Sequence, residues 1–288
     1  MLRSMTGFAR AERATPAGLL AWEIRSVNHR YLEVGLRLPE DLRASESEFR
    51  RAIAAAARRG KVDAALYVRP LPDAAPSLAL DADLLERLIV DARAVRERLG
   101  PEGRIDAVDL LRWPGVVKEA ERDPRSLAAA AASLLGEALT AFTASRSGEG
   151  ERIAEMLRSR AAQVLALVDG VSARLPGVQA RIKARLLERV AALGVELDAE
   201  RLEQEVALLV QKGDVAEELD RLCSHVEELR ATLESPDAVG RKLDFLMQEF
   251  NREANTLSSK SQDLETTRKA VELKVLIEQM REQVQNVE

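Results

Sequence analysis

The chain has 288 residues, 46% of them apolar and 32% charged but only 3% aromatic, a mixture that favours long amphipathic helices over an all-β architecture. Its single cysteine, Cys223, excludes a disulfide framework and a thiolate metal site. The net charge of −5 argues against a protein that coats nucleic acid by generic phosphate neutralisation.

That charge is unevenly spread. Residues 1–80 carry 13 Lys and Arg against 9 Asp and Glu, and the remainder 30 against 39, which leaves room for a basic surface near the amino terminus. The first residues are interrupted by charges, and no stretch reaches eighteen consecutive apolar residues. A cytoplasmic protein without membrane contact is expected.

The first seventy residues predict strands around one helix. "SMTGFARA" alternates Met5, Gly7 and Ala9 with Thr6, Phe8 and Arg10. "LLAWEIRSV" places Leu20, Trp22 and Ile24 on one face, and "RYLEVGLRLP" does the same with Leu32, Val34, Leu36 and Leu38. The polar cluster Ser26, Asn28, His29 and Arg30 between these runs predicts a hairpin. Leu42, Phe49, Ile53 and Ala57 then recur at helical spacing, Gly60 stops the helix, and "KVDAALYVR" returns to alternation. The expectation is an α+β fold that opens on a β-β-β-α-β sheet unit.

"PLPDAAPSL" (70–78) carries three prolines and predicts a loop. Leu84, Leu85, Leu88, Ala92, Val95 and Leu99 form one helical face that ends at Gly100-Pro101, and "VDLLRWPGVV" predicts a short element and a turn. Residues 124–195 predict long helical hairpins of the kind that assemble with copies of themselves, with breaks at "SGEGE" (147–151) and Pro176-Gly177. Beyond 198 come one or two helices with a break near Gly213, a helix after Gly240, and a last run with a seam of Leu273, Ile277, Met280, Val284 and Val287. The chain thus divides into an α+β region over 1–155 with a helical extension, a helical connector over 156–200, and an antiparallel helical domain over 201–288 that carries the candidate active site.

The chain lacks Walker A, G-x-G-x-x-G, HExxH, G-x-S-x-G and CxxC signatures. Helical spacing is more informative. Asp214, Glu218, Arg221 and His225 share one stripe, and Glu249 and Glu253 share another, with Arg252 adjoining and Asn251 and Asn255 as a neighbouring pair. Two carboxylates at i, i+4 that face a carboxylate and an imidazole suit Mg²⁺ or Mn²⁺. An adjacent arginine suits a scissile phosphate. The same spacings also occur on solvated helix faces, and His225 equally suits a packed position. Against a solvated face stands "FNREANTLSSKSQD", which has more carboxamides and hydroxyls than a stable exposed helix usually carries. A second cluster, Arg25, Asn28, His29, Arg30 and Arg37 with Lys61, Arg10 and Tyr31, predicts either a basic RNA-gripping patch on the open sheet face or an ordinary solvated one.

"MLRSMTGFAR", "EIRSVNHRYLEV", "RLPEDLR" and "RGKV", with "GRKLDFLMQEFNREANTLSSKSQD" near the other end, closely resemble the two signature regions of the YicC/YloC family. The resemblance implies a bacterial cytoplasmic endoribonuclease that depends on a divalent metal and forms a ring-like homohexamer around RNA. It further implies links to stress responses and to turnover of small regulatory RNA. At "LLVQKGDV" the chain has Val210, Gln211 and Gly213 where the family tends to show an Ala-Asp-Lys-x-Asp type run, which loses an acidic residue near Gln211.

On matching motif positions, Glu249, Glu253, Glu218 and His225 are the metal or acid/base candidates. Arg221, Arg252, Asn251 and Lys260 are the phosphate candidates, and Arg10, Arg25, Asn28, His29, Arg30, Arg37 and Lys61 the RNA-grip candidates. The competing functions are cleavage through the RNA 2′-hydroxyl by a histidine, and an oligomeric adaptor that presents RNA to a partner nuclease or another RNA-decay protein.

Overall fold

A computed structural model describes residues 2–16, 18–69, 71, 78–100, 104–119, 123–192, 199–235 and 237–288. Most of the proline-rich stretch over 70–77 lies outside these residues. The architecture is α+β, as expected. Strands β1 (Gly7–Thr15), β2 (Gly18–Val27), β3 (Leu32–Arg37) and β4 (Gly60–Arg69) form one sheet, with helix α1 (Glu46–Ala56) between β3 and β4.

The strand order is β1-β2-β4-β3, which corrects the hairpin expected between β2 and β3. β1 and β2 make the hairpin, with Thr15 opposite Gly18, and β4 lies between β2 and β3. β3 and β4 run parallel, and parallel neighbours need a crossover, which α1 supplies. The polar residues 28–31 therefore sit at the end of the sheet instead of in a tight turn.

The alternation places Leu20, Trp22, Ile24, Val62, Ala64 and Leu66 in a core with Phe49 and Ile53 of α1. Trp22 stacks edge-on against Phe49 at 5.5 Å and donates its indole N–H to the Ala131 carbonyl at 2.9 Å. That carbonyl belongs to α4 (Pro124–Ser172), whose Leu127, Leu134, Ala138 and Phe142 complete this core.

Helix α4 is the spine of the molecule. It opens with Asp123, whose carboxylate accepts from the Arg125 and Ser126 amides, and with a proline in its first turn. It then runs straight through "SGEGE", where a break was expected. Glycine in a helix interior costs about 1 kcal/mol relative to alanine. Gly150 is retained for packing, because a Cβ there would collide with the Leu2 carbonyl of the amino-terminal segment. Between Arg125 and Ala192 an 18-residue window is apolar enough to cross a bilayer by length and composition alone. The large apolar side chains of α4 nonetheless point into the two cores of the protein.

The far half of α4 packs on α7 (Ala216–Glu234) and α9 (Leu264–Val284), with α8 (Gly240–Lys260) between the last two. Val164, Leu222, Val226, Leu243, Phe250 and Leu257 are fully buried there, as are Leu273, Ile277 and Met280 of the expected seam. Burying each such side chain contributes about 1.5–3 kcal/mol. The described chain also contains a small unit of β5 (Leu78–Leu80), α2 (Ala82–Leu99), α3 (Ala107–Arg112) and β6 (Val117–Glu119) and the helices α5 (Leu175–Ala192) and α6 (Ala199–Lys212), which contact each other. Pro176 lies in the first turn of α5, where its missing N–H has no helical partner to lose.

The two chain ends are knitted together. Ser4 bridges Val287, the Met5 amide donates to the Asn286 carbonyl at 2.7 Å, and the Glu288 amide donates to the Arg3 carbonyl at 2.9 Å. Arg146 of α4, 1% exposed, ties this junction together. It donates to the Ser4 carbonyl at 2.6 Å, to the Ala56 carbonyl at 3.1 Å and to the Glu288 carboxylate.

Candidate active site

α7 and α8 run antiparallel, and three ion pairs step along their seam. Lys242 meets Glu228 at 3.2 Å, Arg221 meets Glu253 at 3.3 Å, and Lys260 meets Glu218 at 2.8 Å. α7 starts where the Asp214 carboxylate accepts from the Ala216 amide at 3.0 Å, with Glu217 and Glu218 in its first turn as the helix dipole favours. The polar tail of "FNREANTLSSKSQD" resolves into two roles. Thr256 and Ser259 return hydrogen bonds to the carbonyls of Arg252 and Thr256, and Leu257 anchors the last turn of α8. Asp263 then caps α9 by accepting from the Thr266 amide at 3.2 Å.

This register brings His225, Glu249 and Glu253 together. One ligand-type atom from each lies within 4.8 Å of the others, with Glu253 buried and the other two half-buried. His225 rests edge-on against Phe250 at 5.5 Å, and its Nε2 is buried without a hydrogen-bond partner among the described residues. An orphaned buried nitrogen beside two carboxylates is costly unless something binds it. The donor set of one imidazole and two carboxylates on facing helices fits a divalent cation.

Three of the four metal candidates therefore converge, and the fourth does not. Glu218 lies seven residues before His225 on α7, about 10 Å along the axis, and is ion-paired to Lys260. Its Oε2 finds no hydrogen-bond partner among the described residues. Lys260 also donates to the Asp214 carbonyl at 3.2 Å, and the Glu218 hydrogen bond raises its pKa.

Arg221 sits beside the cluster, half exposed. Its hydrogen bond to Glu253, with the charge of Glu217 behind it, raises its pKa, so it stays cationic. Arg252 is exposed and lies 3.8 Å from Glu249. Asn251 faces away, two residues from Glu253 on the helix, and accepts from Asn255 at 3.0 Å. Asp263 is pushed up by burial, but the Thr266 amide and Arg174 outweigh this and hold its carboxyl below the usual range. Burial raises the Cys223 thiol, which disfavours its thiolate.

The amino-terminal candidates form two groups. Arg10, Arg25, Arg37 and Lys61 share the solvent face of the sheet, but so do Glu12, Glu23, Glu33 and Asp63, and Arg10 pairs with Glu12 and Glu23. Cations and carboxylates are interleaved on this face, with Arg25 opposite Asp63 and Lys61 opposite Glu33, and Arg69 lies over the Tyr67 ring. Asn28, His29 and Arg30 lie beyond it. Asn28 donates to the Gln285 carbonyl at 2.7 Å, and His29 lies 3.7 Å from Glu33. Asn28, Arg30 and Tyr31 line a cavity of about 430 Å³ with Arg59, Arg241 and Asp244. Arg59 and Arg241 escaped the sequence reading, although both lie within the signature runs "RGKV" and "GRKLDF".

The architecture and the cluster together define an α+β protein with a ligand-type histidine–carboxylate site between two bundle helices. Residues 2–155 match the family described as Endoribonuclease YicC-like, N-terminal region, and residues 171–288 match Endoribonuclease YicC-like, C-terminal. The chain belongs to this YicC-like endoribonuclease family, as its motifs indicated. It is 44% identical over 288 residues to the "Probable endoribonuclease YicC" of Haemophilus influenzae. It is 31% identical over 293 aligned positions to the protein of the same name from Clostridioides difficile. Both alignments cover the whole of each chain.

Proposed function

We propose that the chain hydrolyses RNA phosphodiester bonds at the α7–α8 seam with a divalent cation held by His225, Glu249 and Glu253. The observation that carries this is the approach of ligand-type atoms of those three side chains to within 4.8 Å of one another, with a buried His225 nitrogen that has no hydrogen-bond partner among the described residues. An imidazole in the set favours Mn²⁺ over Mg²⁺, which prefers oxygen alone. When bound, such a cation supplies Lewis acidity and a more acidic coordinated water.

The chain's own residues do the rest. Glu217 and Glu253 hold the Arg221 guanidinium at the rim through its two terminal nitrogens, where it adds a fixed positive charge for a phosphate. Arg252, exposed on the adjoining turn, adds a second cation for the strand. Phe250 fixes the ring of His225 from behind. Lys260 and Glu218 hold the register of the two helices two turns away, which makes them positioning residues here instead of ligands.

End-group analysis of cleaved RNA tests the reading. The expected products carry 5′-phosphate and 3′-hydroxyl ends, vanish with EDTA and return with Mn²⁺. Glu249→Ala/Glu253→Ala should be inactive but folded. Products ending in 2′,3′-cyclic phosphate in the presence of EDTA would instead support 2′-hydroxyl attack. Wild-type protein that binds RNA and never cuts it would support the adaptor. The cytoplasmic homohexamer, the stress response and the small regulatory RNA substrates belong to the same proposal, and a monomeric mass in light scattering would overturn its assembly.

A further inference from the structure

The 430 Å³ cavity lies where the loop after β2 and the residues just before β4 meet the start of α8 and the carboxyl-terminal tail. Three arginines are among its lining residues, Arg30, Arg59 and Arg241, with one acidic residue, Asp244. Arg30 and Arg241 make no ion pair with any described residue. Arg59 donates from Nε to the His29 carbonyl at 3.3 Å. Asp244 is occupied by Gln248, which donates to it at 3.2 Å. Gly240 and Arg241, the first residues of α8, line the same space, and the N-cap residue Val239 makes no side-chain capping bond. Unpaired arginines gathered around a concavity of this size match a phosphate. Tyr31, 64% exposed and carrying the Arg30 guanidinium at 5.3 Å from its ring centre, adds an aromatic surface at the rim.

From this cavity one row of α8 leads toward the metal-type cluster. Arg241, Phe245 and Glu249 follow at i, i+4 and i+8. Phe245 is 62% exposed in a chain that has only five phenylalanines. Arg241 and Glu249 are about 12 Å apart along the helix, three to four stacked nucleotides at about 3.4 Å each.

We propose that this row is a track for single-stranded RNA, with one phosphate anchored by Arg30, Arg59 and Arg241 and a base stacked on Phe245 before the strand reaches His225, Glu249 and Glu253. The inference rests on the function proposed above and adds the strand's path and its anchor. The chemistry is sequence-tolerant, because every nucleotide offers a phosphate and a flat face.

The test measures anisotropy of a short labelled single-stranded RNA with the full chain in EDTA, where cleavage cannot intervene. Arg30→Gln/Arg241→Gln should bind at least tenfold more weakly. The slope of log affinity against log salt should flatten by about 0.7 for each phosphate that is no longer neutralised. Phe245→Ala should weaken binding at least fivefold, and Phe245→Trp should restore it. All three residues are on the surface, so the variants should keep the wild-type circular dichroism.

Wild-type affinity and salt slope in these variants would overturn the track, as would a wild-type chain that binds no RNA in EDTA. Phe245→Ala that changes the particle mass while leaving RNA affinity intact would assign the aromatic to a protein contact and overturn its role. Failure of the cleavage reading appears separately: a chain that binds along the track but never cuts RNA with Mn²⁺ loses the nuclease and keeps the track.

Discussion

Glu288→Ala should destabilise the protein far more than a typical surface substitution. Arg146 is almost fully buried, and the Glu288 side chain is the one carboxylate paired with it among the described residues. Removing one partner of a buried pair costs about 3–5 kcal/mol, because the other charge is left unneutralised. Arg146 keeps its bonds to the Ser4 and Ala56 carbonyls, and the Glu288 side chain is itself 10% exposed, which places the loss near the lower end, about 3 kcal/mol. For a chain of this size that is a melting-temperature drop of about 6 °C. Loss of the acceptor for the Arg58 amide, now 2.6 Å from Glu288, adds about 1 kcal/mol more.

Urea unfolding followed by circular dichroism measures the change. In the double-mutant cycle, Arg146→Met/Glu288→Ala should cost about 2 kcal/mol less than the sum of the single changes, since the double variant leaves no lone buried charge. A loss below about 1 kcal/mol for Glu288→Ala, with no coupling to Arg146, would show that the pair behaves as a solvated one and refute the reasoning.

Other expectations follow from the same structure. Mn²⁺ at a hundred times its dissociation constant should stabilise the chain by about 2.7 kcal/mol. A thermal-shift titration should show that gain abolished in Glu253→Gln, and an equal shift in the variant would remove Glu253 from the site. The two glycines of "SGEGE" should respond oppositely in thermal melts. Gly148→Ala, which meets open space, should stabilise by about 1 kcal/mol, whereas Gly150→Ala should destabilise by about 1–3 kcal/mol against the Leu2 backbone. Lys260 has a raised folded pKa, so its pair with Glu218 stabilises fully below the ordinary ammonium range and is lost as pH climbs through the folded value. Lys260→Met should therefore flatten the alkaline limb of a stability–pH curve. Asp263 has a lowered folded pKa, so its contribution is present above the ordinary carboxyl range and is lost as pH falls through the folded value. Asp263→Asn should flatten the acid limb.

Much of the molecule could be read from periodicity, because burial imposes it locally. Alternation identified the inward faces of β1, β2 and β4, and the seam from Leu273 to Val284 is buried as its spacing required. Helical spacing also paired Glu249 with Glu253 and put Arg221 and His225 on one stripe of α7. What spacing within one segment could not decide was how segments meet. The insertion of β4 between β2 and β3, antiparallel to the first and parallel to the second, depends on the crossover through α1. The antiparallel register of α7 and α8 chose His225 as the third member of the cluster and gave Glu218 to Lys260. Gly150 looked like a break because its neighbour, the Leu2 carbonyl, is remote in sequence. Arg59 and Arg241, far apart in the chain, became candidates only when the carboxyl-terminal tail closed one side of their cavity. Local pattern determines which face of each element is buried. Long-range packing alone decides which charged groups share a site, because that depends on how residues distant in the chain come to lie side by side.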